Sequence, residues 1–118
     1  MIMSRKINKL TERIITFRNA RDWKQFHNPK DVSLSLVLEA SEVMEHFQWK
    51  NKEEMEKHVV EAKEEISDEI ADVLYWVLLL SHDLNIDPIE ALDKKISKNE
   101  SKYPVRKAKG KHTKYNKL

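Results

Sequence analysis

Four stretches of the chain alternate apolar and polar residues with the period of an amphipathic α-helix. They predict helices at about residues 4–21, 31–48, 52–82 and 88–102. In the first stretch the apolar side chains recur every three or four positions, at Ile7, Leu10, Ile14 and Phe17. No stretch shows the period-two alternation of a half-buried strand. We therefore predict an all-α protein folded as a four-helix-type bundle.

Prolines and capping residues set the expected helix ends. Pro29 should stop the first helical region, because proline cannot continue the hydrogen-bond ladder. Asp31 or Ser33 can cap the second helix. Asp87 and Pro88 have the residue types preferred at the cap and first position of the fourth helix. The third helix is long enough that we expect a break or kink within residues 57–62.

Composition narrows the classes of protein. The single Gly excludes a glycine-rich phosphate loop, and the lack of Cys excludes thiolate metal sites and fits a reducing cytosol, so we expect a cytoplasmic location. No apolar run approaches the roughly 20 residues of a membrane span, and we expect no membrane partner. Charged residues make up 36% of this short chain, which favours burial between subunits.

The charge is unevenly distributed along the chain. Residues 104–118 carry six Lys or Arg and no acid, so the net charge of +2 leaves residues 1–103 at −4. We predict one helical domain over residues 1–103 and a basic, flexible tail over 104–118. Such a tail attracts polyanions or simply remains solvated, and both interpretations stay open.

Two pairs of acids stand out because they lie within the most apolar helices. The first pair is Glu39 with Glu42, and the second is Glu69 with Asp72. The members of each pair are three residues apart, so their side chains point the same way and can bind one ion. Buried carboxylates need a counter-charge, either a divalent metal or Lys and Arg partners. Oxygen ligands suit Mg²⁺, with Mn²⁺ as a substitute. A di-iron site is disfavoured, because no His follows an acid by three residues in these helices.

The residues also resemble a known family, the all-α nucleoside triphosphate pyrophosphohydrolases of the MazG-like branch, and are most similar in appearance to dCTP pyrophosphatases. The resemblance rests on residues 21–27 (RDWKQFH), 39–49 (EASEVMEHFQW) and 69–74 (EIADVL), and on Lys95 with residues 99–104. It covers residues 17–104, and the flanking RDW and HFQW strings make it specific.

The resemblance implies cleavage of a nucleoside triphosphate, with dCTP-like substrates preferred, to a monophosphate and pyrophosphate, as in nucleotide pool sanitation. It implies Mg²⁺ bound by the four acids, Glu45 as a residue that orients or deprotonates water, and Lys95 as a phosphate ligand. It also implies a homodimer or homotetramer. The implied substrate-binding residues are Trp23, His27, Trp49, Trp76, Lys95, Asn99 and Tyr103. Core packing is the alternative for Trp23, His27, Trp49 and Trp76. Helix capping or packing is the alternative for Asn99 and Tyr103, and a helix-face salt bridge is the alternative for Glu45.

Two positions depart from the family pattern and leave base preference open. Ser41 stands where relatives often have glycine, and Trp76 stands where dCTP-preferring relatives often have tyrosine. Two other hypotheses remain. In the first, the chain is a non-catalytic regulatory or interaction bundle with a pseudo metal site. In the second, it cleaves the pyrophosphate bond of another nucleotide. We do not expect nucleic acid as a partner.

Overall fold

The computed structural model describes the backbone of residues 2–118 and the side chains of residues 5–118. This part of the chain contains six α-helices, two short 3₁₀ turns and no strand. The helices are α1 (Ile2–Ala20), α2 (Pro29–Glu45), α3 (Lys52–Glu61), α4 (Lys63–Asp83), α5 (Pro88–Lys102) and α6 (Val105–Ala108). The 3₁₀ turns are Lys24–Phe26 and Tyr115–Lys117. The all-α prediction is confirmed.

Helix α2 begins two residues earlier than predicted. Its cap is Asn28, whose side chain accepts a hydrogen bond from the Asp31 amide at 2.9 Å. Pro29 occupies the first turn, where its missing N–H costs no helical hydrogen bond. The prediction that Asp31 or Ser33 caps this helix was therefore wrong, because Pro29 starts the helix instead of only ending the preceding segment. The predicted cap of α5 by Asp87, with Pro88 first in the helix, is present.

The long third helix predicted at 52–82 is divided in two at Ala62. Helix α3 starts with a capping box, in which Asn51 and Glu54 each bond the other's backbone amide. At Ala62 the backbone leaves the helical region, with φ −108° and ψ 24°, and α4 follows at once. Ala62 is buried. The break lies within the expected interval.

Helix α4 is the centre of the first part of the fold. α2 lies along it, and α1 and α3 also contact it. The buried apolar residues among the described side chains are Val32, Ala62, Ile66, Leu78 and Leu79. Arg18 is also buried, at 1% exposure, and its guanidinium makes two hydrogen bonds to Asp83, of 2.8 and 3.0 Å. This ion pair joins the end of α1 to the end of α4.

The chain divides into two compact units, a first that ends at Asn85 and a second, Ile86–Leu118. In the second unit the Tyr103 and Tyr115 rings meet edge to face, with centroids 6.1 Å apart, and the Lys102 ammonium lies 4.7 Å from the Tyr115 ring centroid. The predicted boundary at residue 103 and the flexible tail stay predictions. None of the described helices has the length and apolar character needed to cross a membrane.

Many large apolar side chains remain exposed on α2 and α4. On α2, Val37 is 61% and Leu38 is 65% exposed, and on α4, Ile70 is 54% and Leu74 is 44% exposed. Isolated exposed apolar residues are ordinary, whereas several on two adjacent helices are typical of an interface.

Candidate active site

The packing of α2 along α4 brings the two acid pairs together. Glu39 and Glu42 lie on α2, and Glu69 and Asp72 lie on α4. Beyond the effect of burial, the charges of Glu42, Asp72 and Glu69 lie close enough to raise the pKa of Glu39, and Glu42 and Glu69 line one cavity, so the four carboxyls lie near one another. Glu39 and Glu69 are half-buried, whereas Glu42 and Asp72 are exposed. The structure therefore assembles the four predicted metal ligands at the α2–α4 face.

Burial and the crowding of negative charge in this cluster raise the pKa of Glu39. Burial raises the pKa of the Glu39 carboxyl above its usual value, and the charges of Glu42, Asp72 and Glu69 raise it further. The Oε2 atom of Glu39 is buried and has no hydrogen-bond partner among the described residues. A buried acceptor without a partner costs free energy, and a bound cation would relieve both the desolvation and the repulsion.

No Lys or Arg side chain within residues 5–118 forms an ion pair with any of the four acids. The Lys and Arg ion pairs found there involve other acids, such as Glu56, Glu61 and Asp83. The alternative that basic side chains neutralise the cluster is therefore not supported. In the same part of the chain, no three acidic or histidine side chains surround a point in a metal-binding arrangement. Side-chain rotations would be needed to bring the carboxylates onto one ion.

A histidine of the first unit contacts this cluster directly. His46 follows the last residue of α2, and its Nε2 atom forms an ion-pair contact with Oε2 of Glu69. Its other ring nitrogen, Nδ1, lies 2.7 Å from Nε2 of His58 on α3. Glu69 is thus the only one of the four acids with an ion-pair partner among the described side chains.

A cavity of about 190 Å³ opens beside the acids. Its lining residues are Glu42, Glu45, His46, Lys50, His58 and Glu69. Glu45, the predicted water-orienting residue, is exposed and shares this cavity with two members of the acid cluster. The arrangement therefore places a third α2 carboxylate and one lysine at the edge of the predicted metal site.

Two of the predicted base-binding residues lie together. The His27 and Trp76 rings meet edge to face, with centroids 5.5 Å apart. Burial lowers the pKa of His27, and the Arg18 charge lowers it further against the opposing effect of Asp83. The Nδ1 atom of His27 is buried and has no partner among the described residues. The pair thus offers an aromatic surface with one free polar atom.

The other two predicted aromatic residues have different surroundings. Trp23 packs edge to face on Phe17, with ring centroids 5.6 Å apart. This contact agrees with the alternative that Trp23 is a packing residue. Trp49 lies in the connection between α2 and α3, is 92% exposed and has a φ of +67°. A bulky residue rarely adopts this left-handed conformation, and such strained positions cluster at functional sites.

The remaining predicted residues belong to the second unit. Lys95 and Asn99 are exposed residues of α5, and Tyr103 is the residue at its end, in contact with Tyr115. Their roles in substrate binding stay predictions.

Sequence reasoning did not select His46, His58 or Lys50 as site residues. A signal existed for His46, which shares the helical strip of Glu39 and Glu42. No comparable signal existed for His58, because its position depends on the turn between α2 and α3.

Comparisons with known proteins agree with this geometry. The model of the MazG-like family matches residues 34–118. The chain is 36% identical over 104 residues to dCTP pyrophosphatase 1 of Rattus norvegicus and 34% identical over 104 residues to that of Homo sapiens. Each alignment covers 86% of this chain and 61% of the relative, so the chain spans about three fifths of these relatives' length.

A solved structure is similar as well. The crystal structure of a pyrophosphatase from Archaeoglobus fulgidus superposes with a TM-score of 0.80 at 38% identity, covering 84% of this chain and 93% of that one. The family match spans well over half of the chain and includes all four acids of the cluster. The chain therefore belongs to the MazG-like family.

Proposed function

We propose that the protein is a Mg²⁺-dependent nucleoside triphosphate pyrophosphohydrolase that cleaves between the α and β phosphates and releases a nucleoside monophosphate and pyrophosphate. The observation that carries this proposal is the cluster of four carboxylates from α2 and α4 without a Lys or Arg partner in the described chain. The relatives named dCTP pyrophosphatase and the pyrophosphatase of similar fold support the same reaction.

The donor set fits Mg²⁺, with Mn²⁺ as a substitute. Hard divalent cations take carboxylate oxygens, and Glu39 Oε2 is a buried oxygen that still needs a partner. Glu39, Glu42, Glu69 and Asp72 would hold the ion. When bound, the metal neutralises charge that develops on the phosphates, orients them and lowers the pKa of an attacking water.

The protein's own residues supply the rest of the chemistry. Glu45 lines the cavity beside the acids, where its carboxylate can accept a proton from a water directed at the α-phosphorus. Lys50 lines the same cavity and can meet phosphate oxygens there. We assign Lys95 to phosphate binding as well, because the family resemblance implies it. Lys50 and Lys95 would balance the negative charge of the pyrophosphate as it leaves.

Base recognition is assigned to the aromatic residues. His27 and Trp76 form one aromatic surface, and exposed Trp49 offers a second. Aromatic faces stack on any base, so base choice must come from polar groups such as His27 Nδ1, Asn99 and Tyr103. A dCTP-like substrate is supported by the names of the relatives, and we propose on that basis a role in removing unwanted nucleotides.

Self-association as a dimer or tetramer is part of the proposal. Val37 and Leu38 on α2 and Ile70 and Leu74 on α4 are exposed apolar residues whose burial between subunits would be favourable. A cavity of about 360 Å³ between α1 and α4, lined mostly by apolar residues that include Leu74, adds to this surface. The cytoplasmic location expected from the sequence stays a prediction.

One observation favours the alternative of a non-catalytic interaction bundle. The carboxylates do not surround a common point within the described chain, as would be expected of a pseudo site. Repulsion among four carboxylates is a sufficient physical reason for this spread. A metal-binding experiment separates the two possibilities.

The experiment measures the unfolding temperature with and without Mg²⁺ or Mn²⁺. Metal at 100 times its dissociation constant should stabilise the wild type by about 2.7 kcal/mol. The variant Glu42→Ala should lose this gain, whereas Glu53→Ala, which removes an exposed acid of α3, should retain it. No gain in the wild type would contradict the metal-dependent enzyme and favour the interaction bundle.

A further inference from the structure

The histidine pair beside the acid cluster links three helices. Glu69 belongs to α4, His46 caps the end of α2, and His58 belongs to α3. The His46 side chain is 14% exposed and that of Glu69 is 26% exposed, so the contact between them is partly shielded from water. The 2.7 Å separation between His46 Nδ1 and His58 Nε2 requires one nitrogen to donate and the other to accept.

The chemistry of the contacting groups fixes where the protons of the two histidine rings lie. An ionised carboxylate only accepts hydrogen bonds, so the Nε2 atom of His46, which is in ion-pair contact with Oε2 of Glu69, carries a proton. The contact lacks hydrogen-bond geometry, and Oε2 of Glu69 has no hydrogen-bond partner among the described residues. In a neutral imidazole the second nitrogen is then an acceptor, so Nδ1 of His46 accepts from Nε2–H of His58. When both rings are neutral, each therefore carries its proton on Nε2, and the contacts run from His58 through His46 to Glu69.

We propose that His46 is a positioning residue that orients Glu69 for metal binding, and that His58 holds the His46 ring in place. The inference rests on the proposed function, because Glu69 matters only if the acids bind a metal. His46 contacts Oε2 of Glu69 and leaves Oε1 available for the cation. A carboxylate with one oxygen held by a rigid ring has fewer orientations to lose on binding.

This assignment gives α3 a role in the site. Helix α3 carries none of the four acids, and it reaches the cluster through His58. The capping box at Asn51 and Glu54 fixes the start of this helix. The break at Ala62 directs α3 back toward the end of α2, where His46 lies. The α2–α3 connection and the metal site are thereby linked through one hydrogen bond and one ion-pair contact.

A metal shared by the two histidines does not fit the distance. Two nitrogens bound to one tetrahedral zinc at 2.0–2.1 Å each would lie about 3.3 Å apart. The observed 2.7 Å between His46 and His58 is a hydrogen-bond distance. These two nitrogens therefore do not share one metal ion.

The first test measures Mn²⁺ affinity by calorimetry without nucleotide. His46→Leu removes the donor to Glu69 and should weaken Mn²⁺ binding about 10- to 100-fold, as loss of such a supporting group does at other metal sites. His46→Gln keeps an N–H donor near the same position and should restore most of the affinity. His82→Leu, which alters an exposed histidine of α4 outside the cluster, should bind like the wild type.

The outcomes separate this inference from the proposed function. If the wild type binds no Mn²⁺, the metal-dependent enzyme is wrong and the role of His46 falls with it. If the wild type binds and folded His46→Leu binds equally well, the metal site stands and the positioning role is overturned. Helical circular dichroism verifies the fold of each variant.

A second measurement does not depend on any variant. Nitrogen-15 NMR of the metal-free wild type, at an alkaline pH at which free imidazole is neutral, reports which ring nitrogen carries the proton. We expect the Nε2–H form for both His46 and His58, with a coupling across the hydrogen bond between them. The Nδ1–H form of His46 would overturn the proposed chain of contacts.

Discussion

The buried ion pair between Arg18 and Asp83 should be among the most sensitive points of the fold. Arg18 is 1% exposed, and its guanidinium has only Asp83 as a charged partner among the described residues. Removing one partner of a buried pair costs about 3–5 kcal/mol. Because the Asp83 side chain is still 23% exposed, we expect Asp83→Ala to lose about 3 kcal/mol, the lower end of that range.

The corresponding temperature shift follows from the size of the chain. For 118 residues that unfold together, the unfolding entropy is about 0.25 kcal/mol/K, so a loss of about 3 kcal/mol lowers Tm by about 12 °C. Differential scanning calorimetry of the metal-free protein measures this shift. The double variant Arg18→Met with Asp83→Ala should recover most of the loss, since the buried charge itself is gone.

Two results would refute this reasoning. A shift below about 2 °C for Asp83→Ala would show that Arg18 finds water or another partner and that the pair does not hold α1 to α4. A double variant as unstable as Asp83→Ala alone would show that the loss comes from packing and not from an uncompensated charge.

The other predictions concern the site and its surfaces. Asp72→Asn should lower kcat by at least about 100-fold with unchanged circular dichroism, whereas Glu53→Gln should leave kcat unchanged. Because the pKa of Glu39 is raised, the metal-free protein should lose stability as the pH rises from 4.5 through that raised pKa. Urea denaturation should show this loss in the wild type and not in Glu39→Gln. Leu38→Glu should shift the mass measured by light scattering toward the monomer, and an unchanged mass would exclude that face. Trp49→Ala should lower kcat/KM roughly 5- to 150-fold, which corresponds to about 1–3 kcal/mol, with little change in Tm. Unaltered kinetics would show that Trp49 does not bind the base.

The helices and the acid pairs were predictable because both depend on local periodicity. Residues three apart on a helix share a face whatever the tertiary structure, so Glu39 with Glu42 and Glu69 with Asp72 could be paired from sequence. The start of α2 was misplaced because Pro29 both ends one segment and begins the next. The capping ability of Asn28 was the local signal that would have corrected it.

Long-range contacts were beyond the sequence. Arg18 and Asp83 are 65 positions apart, and no periodicity relates them. His46 and His58 are 12 apart, and their contact depends on a connection in which Trp49 adopts a positive φ. The direction that α3 takes after this turn comes from tertiary packing, so the histidine pair became visible only in the structure.

The central claim is that four carboxylates on α2 and α4 bind Mg²⁺ for cleavage of a nucleoside triphosphate. The most direct measurement incubates the protein with the eight common ribo- and deoxyribonucleoside triphosphates, with and without Mg²⁺, and separates the products. We expect Mg²⁺-dependent monophosphate and pyrophosphate, with a cytidine nucleotide preferred, and the loss of both products in Asp72→Asn. Intact nucleotides with folded wild-type protein, or release of diphosphate and phosphate, would contradict it.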